Sequence, residues 1–144
     1  MIAPKGTSRS LGTLIVPKIS SSITTVADLK GRKIGLPGLY GASYIGAIAL
    51  LDSAGLTERD VTLDSIGYNQ VEALLADRED AVVVYVANEP LQLESAGQYV
   101  TLLKVSDAID MVANGLVTNE KTMAKNPDLV QAMTLATLKG IQYT

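Results

Sequence analysis

Residues 81–86 read Ala-Val-Val-Val-Tyr-Val, an uncharged stretch in which Val82, Val83, Val84 and Val86 are β-branched. A strand with one wet face alternates apolar and polar side chains. A strand apolar at almost every position is covered on both faces, as in a parallel sheet with helices above and below. The rest of the chain repeats the arrangement. Leu14-Ile15-Val16, ended by Pro17, Lys33-Ile34-Gly35-Leu36, residues 61–66 and residues 99–105 read as further strands. Residues 24–29 read as one helical turn stopped by Gly31, and Ser20-Ser21-Ser22 as a short loop. Residues 42–54 read as a helix, with Gly55 placed as a left-handed closing residue before apolar Leu56.

Asn69-Gln70-Val71-Glu72 has the spacing of a capping box, in which Asn69 accepts a first-turn N–H and Glu72 reaches back. That helix runs to about Asp77. Asn88-Glu89-Pro90 opens another, with Pro in the first turn, and Gly97 ends it. Strands alternating with helices predict βαβ units: an α/β fold of three layers, a mostly parallel sheet with helices on both faces.

In such sheets small molecules bind beyond the carboxyl ends of the strands. The loops expected there are 37–43, 67–69, 87–89 and 106–110. Gly38, Tyr40, Gly41, Ala42 and Ser43 combine a turn, an aromatic face, a hydroxyl and the free N–H groups of a helix start. The same residues also serve as an ordinary turn and cap. Tyr68 reaches the same edge or packs half-buried; Asn69 reads first as a cap. Tyr85 ends the apolar strand. Asn88 and Glu89 follow it, where a carboxylate can accept two N–H bonds from an aminopyrimidine-like edge, or simply complement a helix start. Ser106, Asp107 and Asp110 are weaker candidates. None of these loops carries Arg or Lys, which favours a neutral or weakly basic heterocycle over a sulfonate.

Composition removes whole classes of chemistry. The 144 residues include no His and no Cys, hence no Ser-His-Asp triad, Cys-His pair, imidazole metal ligand, zinc knuckle or disulfide. No metal site and no cofactor are expected. A net charge of −3 with scattered Lys and Arg argues against nucleic acid as a partner. Apolar residues make up 47% of the chain, too many for disorder, yet no stretch reaches membrane-spanning length. Met1-Ile2-Ala3-Pro4-Lys5-Gly6 has no apolar signal-peptide region, so the chain reads as cytoplasmic, as a mature form or as a piece of a longer protein.

The end of the chain behaves differently. Residues 114–117 read as a fifth strand. Asn126-Pro127-Asp128 is a strong helix start, with a capping Asn, Pro at the first position and an acid in the first turn. Over Leu129-Val130-Gln131-Ala132-Met133-Thr134-Leu135-Ala136-Thr137-Leu138 the apolar side chains point nearly all round the axis. Such a helix is normally buried on all sides, so a covering element is expected beyond this sequence.

Several phrases resemble one family. Ala27-Asp28-Leu29-Lys30-Gly31-Arg32-Lys33-Ile34-Gly35 is similar to the lead-in to the second lobe of ABC-transporter solute-binding proteins of the type II periplasmic-binding-protein fold. The runs 38–43, 67–74, 88–90, 114–121 and 126–130 are similar to the same group, in order, over residues 11–144. The resemblance is to the branch that binds thiamine pyrimidine precursors or riboflavin; more distant members bind alkanesulfonates, taurine or nitrate.

It implies a passive, non-enzymatic binder of a small heterocycle in an interlobe cleft, working with a transporter permease in the periplasm or as an extracytoplasmic lipoprotein. Residues 1–19 would be the first hinge crossing, 20–112 the ligand-binding lobe, and 113–144 the return crossing and a helix of an incomplete second lobe. An isolated lobe of this kind is expected to self-associate or swap domains. Two other classes carry the same fold: a pyrimidine-synthase-like enzyme, whose relatives rely on His and a Cys-rich motif absent here, and the sensory lobe of a regulator.

Overall fold

The computed structural model describes residues 13–17, 21–109 and 115–143. They fall into two compact units, divided between Ala113 and Asn114. The first unit holds a five-stranded sheet in the order β3-β2-β4-β1-β5. Its strands are β1 (Thr13–Pro17), β2 (Lys33–Leu36), β3 (Thr62–Ser65), β4 (Ala81–Tyr85) and β5 (Leu103–Lys104). β2 runs parallel to β3 and β4, whereas β1 runs antiparallel to β4 and β5 on either side of it. The sheet is therefore mixed rather than mostly parallel: four strands point one way, but the reversed β1 between β4 and β5 makes two of the four ladders antiparallel.

β4 shows why its sequence is apolar throughout. Ala81 and Val83 face one layer, with Ile15, Ile34 and Leu36 of the sheet and Ala47, Leu50 and Leu51 of α1 (Gly41–Ser53). Val82 and Val84 face the other, with Val16, Leu74 of α2 (Gln70–Leu75) and Leu93 of α3 (Glu89–Ser95). Gly55 closes α1 with φ +72°, while the N–H of Leu56 reaches the carbonyl of Leu51 at 3.0 Å. Gly97 closes α3 in the same way. The turn at 24–29 is a 3-10 helix, Val26–Leu29, after Thr25.

Four local expectations change. The strand expected over 99–105 pairs only at Leu103 and Lys104, and Val105 begins α4 (Val105–Ala108). Val100 and Leu102 still pack on the core while Tyr99 and Thr101 are exposed, so the alternation is real although the ladder stops at Leu103. The capping box at Asn69 does not form: its side-chain nitrogen donates to the Ile66 carbonyl at 3.1 Å instead. The helix it opens stops at Leu75, before Asp77. Residues 115–117 form no strand; Asn114, Ser20 and Asp110 lie outside the described residues.

The second unit contains α5 (Glu120–Lys125) and α6 (Pro127–Tyr143), which pack on each other. α5 is not among the elements expected from the sequence pattern. Its start is capped by Asn119, whose Oδ1 accepts the Thr122 N–H at 2.8 Å. None of the residues of α6 is buried, contrary to the usual fate of a helix apolar all round; Leu129, Met133, Leu135 and Ile141 are about half exposed.

Candidate functional site

Because β3, β2 and β4 are parallel neighbours, the segments that follow them leave from one edge of the sheet. β1 runs the other way, so its first residue, Thr13, comes alongside Tyr85 at this same edge. The first unit therefore gathers three expected loops: Pro37–Tyr40 before α1, residues 66–69 before α2, and residues 86–88 before α3. β5 runs with β4, so Ser106 and Asp107, both exposed on α4, also follow a strand at this edge.

The loop before α1 is shaped by two glycines. Gly38 is buried beneath the ring of Tyr40, and a Cβ at Gly38 would stand 2.6 Å from Tyr40 Cε1. Gly41 enters the helix with φ +74°, a conformation that costs any residue with a Cβ about 1–2 kcal/mol. Tyr40 caps the helix in an extended conformation with no side-chain hydrogen bond. Its ring is 79% exposed, and Tyr68 on the adjacent loop is 88% exposed. Ala42 is exposed in the first turn, and Ser43 behind it is buried.

The end of β4 is a hydrogen-bonded knot. Glu89 is only 9% exposed. Its Oε2 accepts the Tyr85 N–H at 3.1 Å, and its Oε1 accepts from Asn88 Nδ2 at 3.2 Å. Asn88 Oδ1 accepts from Gln92 Nε2 at 2.9 Å. Asn88 itself is exposed, and Tyr85 is half-buried. The carboxylate expected to face a ligand is thus turned inward, holding the strand end and the neighbouring amide. Gln70, buried at the start of α2, donates from Nε2 to the Val83 carbonyl at 3.4 Å. Gln92 and Gln70 were missed in the sequence. The signal for Gln92 was its position four residues after Asn88, on the same helix face.

Ionic groups gather elsewhere. Lys33, at the opposite end of β2, pairs with Asp64 at 2.9 Å and Glu79 at 3.0 Å. The Asp64 and Glu79 carboxylates raise the Lys33 pKa, and Lys33 in turn lowers that of Asp64. A shallow groove of about 830 Å³ lies along the outer face of α1, between Ile48 and Leu56. There Tyr44 donates to Glu58 at 2.6 Å, and that bond raises the Tyr44 pKa. Among the described residues no cluster of three or more Asp, Glu, His or Cys side chains is placed to hold a metal ion. No described helix is long and apolar enough to cross a membrane.

The chain shares the fold of part of a periplasmic solute-binding protein. The aliphatic sulphonate binding protein SsuA from Escherichia coli superposes with a TM-score of 0.73 at 22% identity, over 86% of this chain and 40% of that one. The family follows from the sequence: residues 5–144 match the NMT1/THI5-like family, and the chain belongs to it. A riboflavin-binding protein, RibY, from Chloroflexus aurantiacus is 36% identical over 88% of this chain and 36% of its own length. A 4-amino-5-hydroxymethyl-2-methylpyrimidine phosphate synthase from Legionella pneumophila is 24% identical over 94% of this chain and 46% of its own. The chain thus spans less than half the length of the curated relatives it matches.

Proposed function

We propose that the chain is the ligand-binding lobe of an ABC-importer solute-binding protein and binds a planar heterocycle, a riboflavin or thiamine-pyrimidine type of molecule, without transforming it. One observation carries this reading: two tyrosine rings, Tyr40 and Tyr68, stand exposed at the strand-end edge, in loops that hold no Lys or Arg. Aromatic faces at such an edge suit stacking with a flat ring. The absence of Lys and Arg from these loops disfavours a sulfonate or nitrate as the primary ligand.

Under this reading Gly38, Gly41, Ala42 and Ser43 shape the loop and offer N–H groups. Tyr40 and Tyr68 supply faces, and Asn69, Tyr85 and Asn88 supply polar contacts. Residues 20–112 are then the ligand-binding lobe, 1–19 the first hinge crossing, and 113–144 the return crossing with a helix of the other lobe. The partner is a transporter permease, and the setting is periplasmic or extracytoplasmic. The exposed apolar residues of α6 favour self-association of the chain by itself, which sedimentation velocity across concentrations would register as a rising mass.

Calorimetric titration with riboflavin, 4-amino-5-hydroxymethyl-2-methylpyrimidine, an alkanesulfonate, taurine and nitrate tests the ligand class. Heat from either heterocycle and none from the anions is expected. Binding of the anions alone overturns the reading.

A further inference from the structure

A glycine either takes backbone angles closed to other residues or leaves room where a side chain would collide. Gly41 does the first, with φ +74° and nothing within 4 Å of a Cβ built on it. Gly38 does the second. Its φ is not positive, so the backbone there does not by itself call for glycine. What stands in the way of a side chain is the ring of Tyr40. A Cβ on Gly38 would lie 2.6 Å from Cε1, 3.0 Å from Cζ and 3.2 Å from Cδ1 of that ring. A point beyond the ring edge, that close to Cε1, would be distinctly farther from the other two atoms. The point therefore lies over a face of the ring, and the Gly38 hydrogen that stands in its place aims into that face. The face is the negative side of an aromatic ring, so the contact is weakly attractive.

We propose that Gly38 is a positioning residue: by carrying no side chain it lets the Tyr40 ring lie flat on the loop and present its outer face, already oriented, as a platform for a planar ligand. This rests on the reading of the strand-end edge as the ligand site. Gly38 is buried under the ring, while the Tyr40 side chain is exposed, so the free surface of the ring is its other face. Tyr40 makes no side-chain hydrogen bond at the helix start, so the surface it rests on sets its tilt. An aromatic side chain ordered before binding gives up less rotamer freedom when a ligand stacks on it. A methyl group at position 38 lifts the ring off the loop and removes that advantage.

The test is a double-mutant cycle read by calorimetric titration, with riboflavin and 4-amino-5-hydroxymethyl-2-methylpyrimidine as probes. Gly38→Ala is expected to weaken binding about three- to tenfold, the worth of one aromatic contact. Tyr40→Ala removes the platform, and in that background Gly38→Ala costs nothing further. Tyr40→Phe keeps the face and keeps the affinity. An equal loss from Gly38→Ala with and without the Tyr40 ring overturns the proposal, as does no loss in either background. So does a loss in Tyr40→Phe as large as that in Tyr40→Ala.

Should neither probe bind the wild-type chain, the ligand reading of the edge fails, and the NMR signals of the two Gly38 Hα protons decide the positioning separately. The ring current of Tyr40 moves a proton over its face upfield. One Gly38 Hα well upfield of the other, returning downfield in Tyr40→Leu, supports the positioning. Two Gly38 Hα signals that do not move in that variant overturn it.

Discussion

Lys33 Nζ lies 3.0 Å from Oε1 of Glu79, a side chain that is 1% exposed. The other Glu79 oxygen has no hydrogen-bond partner among the described residues. Removing the cation therefore strands a buried charge, while removing both groups does not. Lys33→Met is expected to lower the thermal midpoint clearly, and Lys33→Met/Glu79→Leu to recover most of the loss. Asp64, the other partner of Lys33, is 44% exposed and is rehydrated in either case. Melting curves of the two variants at pH 7 check the order.

A second prediction concerns acid. The backbone N–H groups of Thr24 and Thr25, then the Thr25 hydroxyl, lower the Asp28 pKa from 3.8 to about 2. A carboxyl lowered on folding stabilises the native state above its ordinary pKa, and the contribution fades as pH falls towards the folded value. Thr57 does the same at Asp60, with Lys30 adding a smaller effect, and Lys33 does so at Asp64. Urea midpoints should fall between pH 4 and 2, and Asp28→Asn should flatten part of that slope.

Two glycine substitutions in one loop should have different signatures. Gly41→Ala meets no atom within 4 Å, so its cost is the backbone alone, about 1–2 kcal/mol from φ +74°. Gly38→Ala instead drives into the Tyr40 ring, which can swing away into solvent. Its effect should appear in ligand titration more than in denaturation.

Both faces of the sheet should respond to cavities. Leu51 and Leu93 are fully buried on opposite sides, and truncation of either to Ala should cost about 2–5 kcal/mol. Comparable losses in chemical denaturation would place equal packing above and below the strands.

The two-faced burial of residues 81–84 was readable because each position reports its own environment, and four consecutive apolar side chains leave little choice. The strand-end loops followed from the alternation of elements. The reversal of β1 did not: Leu14-Ile15-Val16 is the same apolar run in either direction, and its neighbours β4 and β5 are remote in sequence. Nor was the inward turn of Glu89 visible, since a carboxylate at a helix start suits solvent, ligand or a strand's N–H equally well. The cap expected of Asn69 failed because the Ile66 carbonyl competed for its side chain.

The position of β1 bears on the order in which the molecule is made. Ile15 precedes its partners Val83 and Leu103 by roughly 70 to 90 residues, so these ladders are high-contact-order pairings that close slowly. Until then β4 and β5 have nothing between them, and both leave backbone groups open to another strand. The segment 13–17 acts as the keystone of the sheet: it precedes the other four strands in the chain, yet its ladders wait for the last of them.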